Sequence, residues 1–142
     1  MDKNNLTRSI ILENRMAELE RILVFIEELA ENWNISFAMS NTLNLALEEA
    51  FTNLVKYAYH DEETHSIEIQ FERRSDRVVI TLIDDSPPYD PTGKDDPDIS
   101  LSAEERPIGG LGIFLIKKLM DEIEYKQVGT MNHFIITKYI PA

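Results

Sequence analysis

Strand-like runs in this chain come in adjacent pairs, and that arrangement restricts the fold more than any single residue does. Ser66 to Phe71 and Val78 to Ile83 alternate or run apolar around the polar turn Arg73 to Asp76, which reads as a hairpin. Ile123 to Val128 and His133 to Ile140 make a second pair, with Gly129 and Thr130 near the turn between them. A shorter apolar run, Ser9 to Leu12, is expected to be an edge strand. Between these runs the spacing is helical. From Arg15 to Asn32, Met16, Leu19, Leu23, Ile26 and Leu29 recur at three- and four-residue steps with charged residues mostly between them. Phe37 to Tyr59 repeats the spacing in Leu43, Ala46, Leu47, Ala50, Leu54 and Ala58, after capping side chains in Asn34-Ile35-Ser36. A third helix is expected from about Leu111 to Asp121, burying Ile113, Phe114, Ile116, Leu119 and Met120. Strands adjacent in sequence pair antiparallel, whereas a wound parallel sheet needs a helix between consecutive strands. The expected class is therefore α+β: a two-layer sandwich with a mixed, mostly antiparallel sheet and helices on one face.

Asp84 to Pro107 departs from this regularity. Five of the six prolines fall there, among acidic residues and few large apolar ones. A loop longer than about 15 residues inside a compact domain is usually functional or disordered, so its presence asks for a reason. A length of 142 residues suits one domain, spanning 1–142. The formal net charge of -12 argues against nucleic acid or an anionic membrane as the main partner and suits a basic protein surface. With no cysteine, disulfides, thiolate catalysis and cysteine-based metal sites are excluded. No apolar run approaches a membrane span or signal peptide, which makes a cytoplasmic location the expectation.

Three clusters carry possible chemistry. Glu49 and Asn53 lie four apart on the second helix, hence on one face about a turn from each other. A carboxylate can take a proton from an attacking hydroxyl, and an amide oxygen can ligate Mg²⁺, so the pair suits phosphoryl transfer. Both are equally at home as exposed polar residues of an amphipathic helix, and Lys56, which could reach a phosphate on that face, is equally at home in solvent. Asp84 closes the apolar run Val78 to Ile83, where it could accept the exocyclic amine of adenine or merely cap the turn in Asp84-Asp85-Ser86. Ile108-Gly109-Gly110-Leu111-Gly112 leads directly into a helix, so backbone N–H groups and the helix dipole could meet phosphates, a flexible hinge being the alternative. It lacks the Gly-Lys-Ser/Thr of a Walker A loop and follows no strand. His60, His65 and His133 are scattered without metal-ligand spacing.

Taken in order, Glu49-Ala50-Phe51-Thr52-Asn53, Asp84-Asp85-Ser86-Pro87-Pro88-Tyr89-Asp90-Pro91 and Gly109-Gly110-Leu111-Gly112-Ile113 resemble the asparagine box and the first and second glycine boxes of the GHKL ATPases. The resemblance covers nearly the whole chain and is closest to the anti-sigma factor serine/threonine kinases. It implies the Bergerat sandwich, an ATP pocket lined by the three boxes, and an ATP lid over about 86–107. It further implies Asn53 as the Mg²⁺ ligand, Glu49 as general base, Asp84 at the adenine amine, and Gly110 and Gly112, with Gly109 and Leu111 beside them, at the phosphates. Arg106 is the nearest candidate for the γ-phosphate, and Thr130 or Asn132 for an adenine-side polar group. The implied activity is phosphorylation of a small anti-sigma factor antagonist, with sequestration of that antagonist or of a sigma factor. Family members commonly form homodimers, and the N-terminal strand and helix would be the place for one. Three positions depart from the family pattern: Ser86 stands for a glycine, Tyr57 for a histidine, and Ile108 for an arginine. Ser86 and Ile108 favour the alternative of a protein-binding module that responds to ATP without transferring phosphate, or binds no nucleotide.

Overall fold

The computed structural model describes residues 6–87 and 110–141. In chain order the elements are β1 (Leu6–Glu13), α1 (Leu19–Asn32), α2 (Phe37–Asn53), β2 (Ser66–Arg73), β3 (Arg77–Asp84), α3 (Gly110–Leu119), β4 (Glu122–Val128) and β5 (Met131–Tyr139). The strands form one sheet in the order β1-β2-β3-β5-β4, and each neighbouring pair is antiparallel. Alternation sets the faces: Ile67, Ile69 and Phe71 on β2, Val78, Ile80 and Leu82 on β3, and Phe134 and Ile136 on β5 are buried. They share one core with residues of all three helices, which therefore cover a single face of the sheet.

α2 is the central helix, packed against both α1 and α3. Ser36 caps it by accepting a hydrogen bond from the Met39 N–H at 3.1 Å. Its buried face runs through Met39, Leu43, Ala46, Leu47, Ala50 and Phe51. The α-helix ends at Asn53, short of the expected Tyr59, and the chain continues as one π-helical turn over Leu54–Ala58. Such wide turns recur at functional sites.

Two expectations are corrected. The stripe of the first helix is not Met16, Leu19, Leu23, Ile26 and Leu29, because Ile22, Ile26 and Leu29 are buried while Met16 and Leu23 are exposed. Ile22 meets the four- and three-residue steps to Ile26 and Leu29, continues to the buried Trp33, and turns its neighbour Leu23 outward. The first strand is also twice the length read for it, since β1 pairs with β2 from Leu6↔Arg73 to Glu13↔Ser66.

Glu18 joins the end of β1 to the start of α1. Its Oε2 accepts from the Glu13 N–H at 2.8 Å and from Arg21 at 2.9 Å. The Glu13 N–H, assisted by Arg21, holds the carboxyl below its usual range despite burial. Glu18→Ala is expected to cost about 2 kcal/mol at neutral pH. A lowered folded-state pKa gives stability that is present above the unfolded value and is lost as pH falls through the folded one, so this cost should shrink on acidification. Urea unfolding of the two proteins at several pH values checks both size and trend.

Candidate functional site

The end of β3, the last turn of α2, the first turns of α3 and the β4–β5 hairpin converge on one cleft. Ala50, Asn53, Leu54, Asp84, Ser86, Ile113, Tyr125, Asn132 and Phe134 line it, around about 390 Å³ of empty space, open solvent included. Apolar walls with a few convergent polar groups are what small-molecule sites present.

Asp84 is the deepest of those groups, with 2% of its surface exposed. Its Oδ1 accepts from the Ser86 N–H at 3.0 Å, the Ser86 hydroxyl at 2.5 Å and the Asn132 amide at 3.0 Å. Asn132 stands directly across from Asp84 in the β3–β5 register. It also donates to the Ser86 carbonyl at 2.9 Å, and its Oδ1 accepts from the Tyr125 hydroxyl at 2.6 Å. Among the described residues no hydrogen bond reaches Asp84 Oδ2. A buried carboxylate oxygen without a partner is costly, so a donor from a ligand would complete the site. Adenine, with its exocyclic amine, fits that requirement.

Asn53 ends α2 at the edge of the cleft, partly buried and with no side-chain hydrogen bond to a described residue. Glu49 lies one turn earlier on the helix and is also partly buried. Burial raises its pKa, the neighbouring Glu48 charge adds to the rise, and Lys56 opposes it. Lys56 is exposed on the π-helical turn and does not line the cleft. The backbone of Gly110, Leu111 and Gly112 opens α3, so the glycines form a helix N-terminus one residue earlier than expected. Gly109, Ile108, Arg106 and the stretch 88–107 of the expected lid lie outside the described residues.

The turn holding Thr130 is a two-residue hairpin between Val128 and Met131, with Gly129 at φ +63 supplying the left-handed residue. Thr130 is exposed at its tip and does not line the Asp84 cleft, whereas Asn132 and Tyr125 do. Neither β5's start at Met131 nor the cross-strand partner of Asp84 could be counted from a turn of ambiguous register.

The structure further gathers a group that the sequence does not single out. His65 sits between Asp61, 2.8 Å from Nε2, and Asp85, 3.3 Å from Nδ1. Tyr59 stacks on its ring at 4.2 Å and donates its hydroxyl to Asp85. The hydrogen bond to Asp61, with help from Asp85, raises the imidazole pKa. Asp61, Glu63 and His65 bring ligand atoms within 4.8 Å of one another, but both ring nitrogens already face carboxylates, the pattern of an ion-paired imidazolium.

The family model described as the histidine kinase-like ATPase domain matches residues 12–138. The chain belongs to this family. It is 33% identical over 117 residues to the serine-protein kinase RsbW of Listeria monocytogenes, covering 79% of this chain and 73% of that one. RsbW of Oceanobacillus iheyensis is 33% identical over 118 residues, covering 78% and 72%. The serine/threonine-protein kinase BtrW of Bordetella bronchiseptica is 26% identical over 117 residues and 82% of each chain. The matched region takes in α2, the end of β3 and α3, so the cleft and the family domain are the same part of the molecule. No helix among the described residues is long and apolar enough to cross a membrane.

Proposed function

We propose that this chain is an ATP-dependent serine/threonine protein kinase acting as an anti-sigma factor or partner-switching regulator. The observation that carries the proposal is Asp84, a buried carboxylate with one oxygen open, facing the same cleft as Asn53, with Glu49 one helical turn away. Relatives named as serine kinases support the type of acceptor. The substrate is a small anti-sigma factor antagonist, and a sigma factor is a second binding partner.

Asp84 orients the nucleotide through its base. Ala50, Leu54, Ile113 and Phe134 give the cleft an apolar lining that excludes water from that end. Mg²⁺, when bound, neutralises charge on the phosphate oxygens, and the Asn53 amide oxygen is the ligand this chain offers it. The backbone N–H groups at the start of α3, from Gly110 to Gly112, face the phosphates, with Gly109 beside them and Arg106 at the γ-phosphate. The segment 86–107 serves as the lid that keeps water from the γ-phosphorus. In the transfer, a serine hydroxyl oxygen bonds to the γ-phosphorus, the bond from that phosphorus to the β–γ bridging oxygen breaks, and ADP leaves. Glu49 takes the hydroxyl proton, and burial makes its carboxylate a stronger base than an exposed one.

The test is incubation with ATP radiolabelled on the γ-phosphate, Mg²⁺ and the antagonist substrate of one of the kinase relatives. Label on a serine of that protein supports the proposal. ATP binding without transfer to any antagonist supports instead the binding-module alternative that Ser86 and Ile108 favour in the sequence.

A further inference from the structure

We infer that His65 is a proton-operated latch: as an imidazolium it holds Asp85 at the end of β3, and as a neutral ring it lets Asp85 go, so that nucleotide binding in the adjoining cleft weakens as pH rises, the last step resting on the nucleotide reading above. The ring lies between two carboxylates from different parts of the chain. Nε2 is 2.8 Å from Asp61, on the connection between α2 and β2, and Nδ1 is 3.3 Å from Asp85. An ionised carboxylate only accepts, so both bonds exist together only when both ring nitrogens carry a proton. The neutral ring has a single N–H. The shorter contact keeps that hydrogen on Asp61, and the Nδ1 lone pair is then set against the Asp85 carboxylate.

The surroundings make Asp85 the part that is released. The His65 backbone is pinned to the end of β1: its N–H donates to the Asn14 side chain at 2.8 Å and its carbonyl accepts from the Asn14 N–H at 3.0 Å. Tyr59 stacks on the ring, and burial with the nearby Asp84 charge pushes its phenol well above the usual range, so the hydroxyl stays a donor to Asp85 and switches nothing itself. The other ionisable groups here are His60 and Glu63 on the same connection and Asp84 beside Asp85. Asn14 from β1 and Gln127 and Thr130 from the β4–β5 hairpin are neutral. No lysine or arginine lines the concavity beside the ring, so the positive charge between Asp61 and Asp85 is the one His65 supplies. The bond to Asp61, helped by Asp85, outweighs burial and raises the imidazole pKa above the ordinary value of about 6.5, which places the release at neutral to alkaline pH. A raised folded-state pKa gives stability that is fully present below the unfolded value and is lost as pH rises through the folded one. Asp85 stands between Asp84 and Ser86, which both line the cleft, so its release reaches the site through one peptide bond on either side. His65 is thus a positioning residue.

The test begins without nucleotide, as an NMR titration of the protein from about pH 5.5 to 9. The His65 ring signals, identified by their loss in His65→Gln, should titrate with a midpoint above about 6.5, and the Asp85 backbone amide should shift with the same midpoint. In Asp85→Asn the His65 midpoint should fall, because one carboxylate is gone. The new amide can accept from the charged ring and donate to the neutral one, so this variant stays latched at every pH. Calorimetric titration of ATP with Mg²⁺ over the same range then reads the cleft. Dividing the wild-type affinity by that of His65→Gln removes the titration of ATP itself, and the quotient should fall from up to about fivefold towards one as pH passes the His65 midpoint. The same quotient for Asp85→Asn should stay flat. A merely structural role for His65 would give a wild-type quotient that does not change with pH. A His65 midpoint at or below about 6.5, or an Asp85 amide that does not follow it, would overturn the latch. A latch seen by NMR with a pH-independent quotient would overturn its coupling to the cleft and leave the ATP reading intact. A wild type that titrates as described but binds no ATP would overturn the nucleotide reading and the coupling with it.

Discussion

Replacing Glu49 with alanine should lower phosphotransfer to the antagonist serine by about 10²- to 10⁴-fold, the usual contribution of a general base. ATP affinity should change little, since Glu49 does not line the cleft that holds Asp84 and Asn53. A fall in kcat without a matching change in nucleotide binding marks an interaction made in the transition state alone. Burial raises the Glu49 pKa, so any stability linked to this group is present below the unfolded value and is lost as pH rises. At neutral pH its removal therefore takes away a desolvated charge, and thermal stability should not fall. The same shift predicts that the wild-type rate rises with pH on a limb displaced above the ordinary carboxylate range. Transfer at the wild-type rate in Glu49→Ala would remove this residue from the chemistry.

The largest effect on stability is expected at Phe51. It is fully buried on α2, two residues before Asn53 and next to Ala50 of the cleft wall. Truncating a core phenylalanine costs about 3–5 kcal/mol through lost burial and the cavity left behind. Against a total of about 5–15 kcal/mol, that is a large share of the stability. At about 2–4 °C per kcal/mol for a chain near this size, the melting midpoint of Phe51→Ala should drop by roughly 10 °C. Scanning calorimetry reads it directly, and a drop below about 2 °C would show that α2 is not packed as described.

The parts of the fold that the sequence made legible are those governed by side-chain period. Both hairpins, the three helices and the burial of Leu43, Ala46, Leu47, Ala50, Ile113 and Ile116 follow from spacing alone. β1 reads short in the sequence because Leu6, Thr7 and Arg8 are exposed on an edge strand and show little apolar signal, although backbone pairing with β2 carries them. On α1, Ile26 and Leu29 are buried as their spacing implies, but the stripe passes through Ile22 and not Leu23, because both are apolar neighbours and only tertiary packing decides between them.

Of the candidate site, Asp84 and Asn53 were marked by position, one at a strand end and one on a helix face, and the fold brings them to one cleft. Asn132 could be read only as an alternative to Thr130, since a shift of one or two residues in a turn decides which side chain meets Asp84. His65 carried no signal, because its partners Asp61, Asp85 and Tyr59 come from the α2–β2 connection and the end of β3, which meet only on folding. The relay from Tyr125 through Asn132 to Asp84 joins three strands and has no counterpart in sequence spacing.

The most direct measurement is calorimetric titration of ATP with Mg²⁺ into the wild-type protein and into Asn53→Ala. Micromolar binding in the wild type that is lost in Asn53→Ala is the predicted result, because Asn53 lines the cleft beside Asp84 and is the ligand proposed for the metal. The absence of binding to the wild type would contradict a nucleotide site in this cleft and leave the fold to protein contacts alone.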